Sequence, residues 1–156
     1  MARARITRLR VWCFGVEVAE LTADRPWTVR CRYTANAIEE WPGNAPVLSC
    51  SLPLVRRKQH ASAFFNGVLP EGQHRAALAA RAGVAANDIF AMLARYGRDV
   101  AGALIVAPEP DDAERAPGVV PYDADQLVDE VLGLRDHPLA VYDDSELSIG
   151  GLQDKM

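Results

Sequence analysis

Apolar and polar residues alternate along Leu9-Arg-Val-Trp-Cys-Phe14 and again along Val16-Glu-Val-Ala-Glu-Leu21, with Gly15 between the two runs. Successive side chains of a strand point to opposite faces, so this period of two predicts a pair of half-buried strands joined by a tight turn. A third alternating run, Trp27 to Tyr33, follows a turn that contains Pro26. Together the runs predict an N-terminal antiparallel sheet with Val11, Val16, Val18, Leu21, Val29 and Tyr33 in its core. Residues 36–46 include Trp41-Pro42-Gly43-Asn44, the composition of a loop. In Leu48-Ser-Cys-Ser-Leu-Pro-Leu54 apolar and small polar residues alternate again, which predicts one more strand that Pro53 ends or confines to an edge.

Near Ser62 the period becomes helical. Phe64, Phe65, Val68 and Leu69 fall on one face, and Pro70-Glu71-Gly72 interrupts it. The Ala-rich stretch Gln73 to Ala82 predicts a helix closed by Gly83, because glycine takes the left-handed cap conformation without a Cβ penalty. Asn87 or Asp88 can cap a further helix that carries Ile89, Phe90, Met92, Leu93 and Tyr96 and stops at Gly97. Ala103-Leu-Ile-Val106 is a short apolar run before Pro108 and predicts a strand. Pro108 to Pro121 is dominated by Asp, Glu, Pro and Gly and reads as a linker. Asp123 to Leu134 reads as a capped amphipathic helix with Leu127, Val128, Val131 and Leu132 on its apolar side. The expected fold class is α+β: a small antiparallel β-sheet or partly closed barrel, from about 9–54 plus 103–107, packed by short helices between 62 and 96. The expected divisions are 1–107, a linker over 108–122, and 123–156 with the last helix and a Gly-rich segment.

The composition of the 156 residues, 49% apolar and 24% charged, excludes collagen, coiled coil and wholesale disorder. No apolar run reaches the roughly 18 to 20 residues of a membrane span, and the Arg-rich start lacks a cleavable apolar core. A soluble, cytoplasmic protein without a membrane partner is expected. Cys13, Cys31 and Cys50 are odd in number and far apart, and they form no Cys-x-x-Cys pair, so buried reduced thiols are expected. Charge is divided unevenly. Residues 1–107 hold 14 basic and 8 acidic side chains, while 108–156 hold 3 basic and 13 acidic. Such asymmetry fits an acidic tail lying on a basic surface, its own or a partner's; a solvated acidic linker is the plainer reading. The arginines are scattered along the chain and the total is −4, so direct binding of DNA or RNA is not expected.

Few residues are arranged for chemistry. His60, His74 and His137 lie in different segments without a second ligand at i+4, so no metal site can be argued. No serine has the neighbours of a nucleophile elbow. Glu71 stands where a helix begins, and capping accounts for it. Arg98-Asp99 would need an asparagine about five residues on to belong to a phosphotransfer loop. The last asparagine is Asn87, and the pair reads as a structural ion pair. Ser148-Ile-Gly-Gly-Leu-Gln-Asp-Lys155 has paired glycines that let backbone N–H groups approach an anion, with Lys155 as a point charge. A hairpin uses the same residues, and spacing alone leaves both open.

Taken in order, Leu48-Ser-Cys-Ser-Leu-Pro-Leu54, Phe64-Phe-Asn-Gly-Val-Leu-Pro-Glu-Gly72, Gly97-Arg-Asp-Val-Ala-Gly-Ala-Leu104 and Ser148–Lys155 resemble the N-terminal part of HipA-type toxin kinases, up to the start of the kinase core. That family comprises serine/threonine protein kinases of toxin–antitoxin modules. They phosphorylate aminoacyl-tRNA synthetases and are restrained by a DNA-binding HipB-type antitoxin. The resemblance implies ATP and Mg as cofactors of the complete enzyme, with none expected to bind tightly to this chain alone. It implies a HipA-like kinase core, in cis or in trans, as partner. By resemblance Ser148 matches the autophosphorylated serine, and Gly150, Gly151, Leu152, Gln153, Asp154 and Lys155 match the nucleotide-phosphate loop. Gly150 and Leu152 depart from the alanine that many members carry.

Phosphoryl transfer needs a catalytic Asp, metal-binding Asn and Asp, and a strand lysine on the phosphates. The chain has only Lys58 and Lys155, and no asparagine after the loop, so it is expected to be inactive alone. Its last residues stop within what the resemblance makes a loop, as in a truncated gene, a fragment or a split toxin. Two functions follow. The chain is the N-terminal module of a HipA-like kinase, or it is a stand-alone HipS-like antitoxin of a separate kinase.

Overall fold

The computed structural model describes residues 6–100, 102–108 and 121–133. The three alternating runs become β1 (Leu9–Cys13), β2 (Val16–Arg25) and β3 (Thr28–Tyr33). After β3 come α1 (Ala35–Glu40), β4 (Gln59–His60), α2 (Ser62–Gly67), α3 (Gly72–Ala82), α4 (Ile89–Tyr96), a 3-10 turn over Gly97–Asp99, β5 (Leu104–Ala107) and α5 (Ala124–Gly133). The five strands form one sheet in the order β4-β3-β2-β1-β5, with every neighbour antiparallel. β4 and β5 are its two edges, so the sheet is open and not a closed barrel.

One face of the sheet carries the core. Leu9 and Val11 of β1, Ala19 and Leu21 of β2, Val29, Cys31 and Tyr33 of β3, and Leu104 and Val106 of β5 are buried there. Phe65 of α2, Leu78 of α3 and Met92 and Leu93 of α4 pack onto them, fully buried. Both buried tyrosines donate a hydroxyl hydrogen bond to a backbone carbonyl, Tyr33 to Leu52 and Tyr96 to Leu78 at 2.9 Å. Burying a phenol unpaired would cost about 1–3 kcal/mol.

The helices begin and end for local reasons. Asp88 Oδ1 accepts from the Ala91 N–H at 2.9 Å and opens α4, and Gly83 closes α3 at φ 67°. Asp123 Oδ1 accepts from the Gln126 N–H at 2.8 Å while the Gln126 side chain accepts from the Asp123 N–H at 3.1 Å, a reciprocal capping box on α5. The apolar side of α5 is exposed, from 51% at Leu127 to 72% at Leu132.

Several expectations are corrected. Val16 is 42% exposed: its partner Cys13 faces the core side of β1, but the pair is the last before the β1–β2 turn, where no neighbouring element among the described residues covers it. Residues 35–40 are helical, since the Thr34 hydroxyl accepts from the Ala37 N–H at 3.1 Å and the helix ends at Trp41 before Pro42. Residues 48–54 form no strand. The Ser49 hydroxyl accepts from the Ser51 N–H, and Ser49 and Leu52 meet in an isolated bridge across a tight turn, the conformation that serine side chains favour. Glu71 holds the N-cap position of α3 but its side chain makes no cap hydrogen bond. Of the cysteines only Cys31 is buried, while Cys13 is half-buried and Cys50, on that turn, is exposed.

The β1–β2 connection is a two-residue turn with Phe14 at φ 50° and Gly15 at φ 79°. Both positions are left-handed, where asparagine followed by glycine fits best and a phenylalanine is strained. Phe14→Asn is expected to stabilise the chain by about 0.5–1 kcal/mol, read as a higher urea midpoint, because the exposed ring sacrifices no packing.

Candidate functional site

Ser148 and the whole of Gly150–Lys155 lie outside the described residues, as do His137 and most of the linker. The other three motif blocks are placed, and each builds scaffold. Residues 48–54 are the serine turn, whose Leu52 and Leu54 enter the core. Residues 64–72 are α2 and the start of α3, with the Phe64 and Phe65 rings edge-on at 5.0 Å. Arg75, one turn into α3, ties this block to the loop between α3 and α4. Its Nη1 donates to Asn66 Oδ1 at 2.8 Å and its Nε to the Ala86 carbonyl. Desolvation lowers the Arg75 pKa, and Glu71 opposes that shift. Residues 97–104 are the 3-10 turn carrying half-buried Arg98 and exposed Asp99, followed by the start of β5.

Burial perturbs the remaining titrations toward neutral forms. It pushes the Cys31 thiol up to about 12 and the Tyr33 phenol to about 12, and it raises Cys13 and Tyr96 as well. A nucleophilic cysteine needs the opposite shift. Among the described residues no group of three His, Cys, Asp or Glu side chains could hold a metal ion.

The sheet face away from the core is charged. Cross-strand register sets Ala107, Arg10, Glu20 and Arg32 in one row across four strands. Arg30 lies two residues along β3 from Arg32, opposite Thr22 on one side and His60 on the other. Arg10 binds Glu17 at 2.8 Å, Arg8 binds Glu20 at 3.1 Å and Arg30 binds Asp24 at 3.3 Å. Lys58 Nζ reaches Thr22 Oγ1 at 3.4 Å and so sits on the same face. Exposed Arg56 and Arg57 precede it. Strand pairing thus brings Arg10, Arg30 and Arg32, scattered in sequence, onto one sheet face, with Arg30 and Arg32 on the strand beside the β4 edge. The signal was present in the sequence, since Arg10, Arg30 and Arg32 all fall on polar positions of the alternating runs. Two exposed aromatics mark opposite ends of β2, Phe14 at 86% and Trp27 at 54%, and alternation had not singled them out.

Residues 9–107 match the family model described as the HipA N-terminal domain. The chain belongs to the HipA family. The match opens on the first residue of β1 and closes on the last of β5, so the HipA domain here coincides with the complete sheet and the helices between its strands. The chain is also similar to a protein of Sinorhizobium fredii named putative kinase Y4mE, 33% identical over 159 residues. That similarity covers 95% of this chain and 37% of the relative, so the chain spans little more than a third of the relative's length. Within the described part of this HipA-family chain, no helix is long and apolar enough to cross a membrane.

Proposed function

We propose that this chain is the N-terminal module of a HipA-like serine/threonine protein kinase of a toxin–antitoxin system, acting with a kinase core in cis or in trans. The observation that carries it is the pairing of a HipA N-terminal domain over 9–107 with similarity to 37% of a relative whose name says kinase. In this reading Gly150–Lys155 hold nucleotide phosphates, ATP and Mg serve the complete enzyme, and an aminoacyl-tRNA synthetase and a HipB-type antitoxin are its substrate and its restraint. Ser148 is the regulatory phosphorylation site. A phosphate there adds about −1.5 to −2 charges beside the phosphate loop and repels the nucleotide.

The test is co-expression of the chain with the part of the Sinorhizobium fredii relative that lies beyond the matched segment. The expected result is co-purification of the two polypeptides and growth arrest that neither causes alone, with Ser148→Glu abolishing the arrest. Co-purification with growth restored to an already toxic core supports the HipS-like antitoxin reading in its place. Absence of association overturns both.

A further inference from the structure

We propose that Phe14, at the tip of the β1–β2 hairpin, is an aromatic anchor that seats in an apolar pocket of the kinase polypeptide with which this chain acts, an inference that rests on the reading above. Two independent observations meet on this residue. Its backbone is left-handed, at φ 50°, in a turn whose second position is a glycine at φ 79°. That conformation suits asparagine or glycine and strains a phenylalanine. Its ring is 86% exposed, the most of any large apolar side chain among the described residues, so burial within the chain does not offset the strain. A strained residue that the fold does not reward points to function. The tip is also held in place. The Phe14 N–H donates to the Ala103 carbonyl at 3.3 Å, which fixes the turn against the entry to β5, and a pre-ordered segment loses less entropy when a partner takes it up. The surroundings set the chemistry of that partner. Residues 11–16 carry no charged side chain, and next to Phe14 in the hairpin Val16 is 42% exposed, so a pocket that fits this tip is apolar and uncharged. The size of the patch selects the occupant. A stable complex between free molecules uses about 20–30 residues a side. Phe14, Val16 and Cys13 are far fewer, and this tip alone cannot hold a second copy. A partner already attached by a tether or by further contacts meets the tip at about millimolar effective concentration, where one well-seated aromatic decides affinity. The kinase polypeptide, in cis or in trans, is such a partner.

Affinity and stability move in opposite directions under this proposal, and the test reads both. The full chain is titrated calorimetrically with the part of the Sinorhizobium fredii relative that lies beyond the matched segment. Phe14→Asn relieves the strain and removes the ring, so it is expected to raise the urea midpoint of the chain while weakening association about tenfold or more. Phe14→Leu keeps both the strain and an apolar tip, and it is expected to weaken association by no more than about threefold. A purely structural role for Phe14 would make affinity follow stability, with Phe14→Asn binding as well as the wild-type chain or better. That result would overturn the proposal and leave the proposed function standing. No association of the wild-type chain would overturn both. Self-association of the full chain in sedimentation that Phe14→Asn abolishes would assign the anchor to a second copy and so overturn the proposal as well.

Discussion

Gly97→Ala is expected to lower the stability of the chain by about 3 kcal/mol and its thermal midpoint by on the order of 10 °C. A Cβ built on Gly97 meets the Val106 carbonyl oxygen at an impossible approach and Val106 Cβ at 2.8 Å. The obstacle is backbone of β5, which cannot rotate away as a flexible side chain could. Among the described residues β5 is an edge strand held chiefly by β1 on its hydrogen-bonded side and by α4 and the 3-10 turn beneath, so relief means lifting the strand from its seat. For a domain of ordinary stability, about 5–15 kcal/mol, this is a large fraction. The matched control is Gly67→Ala at the end of α2, where nothing lies within 4 Å, and there a change of less than about 1 kcal/mol in either direction is expected. Equal midpoints for the two variants in urea unfolding would contradict the packing account.

Alkali is expected to unfold the chain progressively from pH 9 to pH 12. Cys31 moves from 9.0 to about 12 on folding and Tyr33 from 10.0 to about 12, both chiefly through desolvation. Each group keeps its proton more tightly in the folded state. The sign follows: their contribution is fully present below pH 9 and is lost as pH rises toward 12. At about 1.4 kcal/mol per unit, Cys31 alone accounts for up to about 4 kcal/mol, and Tyr33 acts in the same direction. Urea midpoints measured in reductant from pH 7 to pH 11 are expected to hold steady and then fall. In Cys31→Ala the fall is expected to begin about one unit later, since only the phenol then remains. A flat profile up to pH 11 would mean that water reaches both groups.

The architecture was largely legible from period and punctuation. The alternating runs gave β1, β2 and β3 within a few residues, and Gly83, Asp88 and the stop at Gly97 bounded α3 and α4 as the cap chemistry requires. What alternation could not show was where side-chain hydrogen bonds override it. Ser49 turned an apparent strand into a bend, and Thr34 started a helix inside an apparent loop. β4 has two residues and no period to detect. Among candidate site residues, charge counting along the chain made the arginines look dispersed, because proximity across a sheet is set by register and not by sequence spacing. Gly97 shows the converse. In the sequence it closes a helix and opens a motif, and only the fold reveals that its missing side chain is what lets β5 lie against the turn.

The shortness of β4 also bears on how copies of the molecule behave toward each other. It pairs with β3 only at Arg30 and Cys31, so the outer rim of the sheet offers little continuous backbone for a foreign strand to zip onto. The neighbouring run of cationic side chains would meet its own likeness in any approaching copy. That combination guards against edge-to-edge aggregation, and added salt weakens the electrostatic half of the guard while leaving the steric half intact.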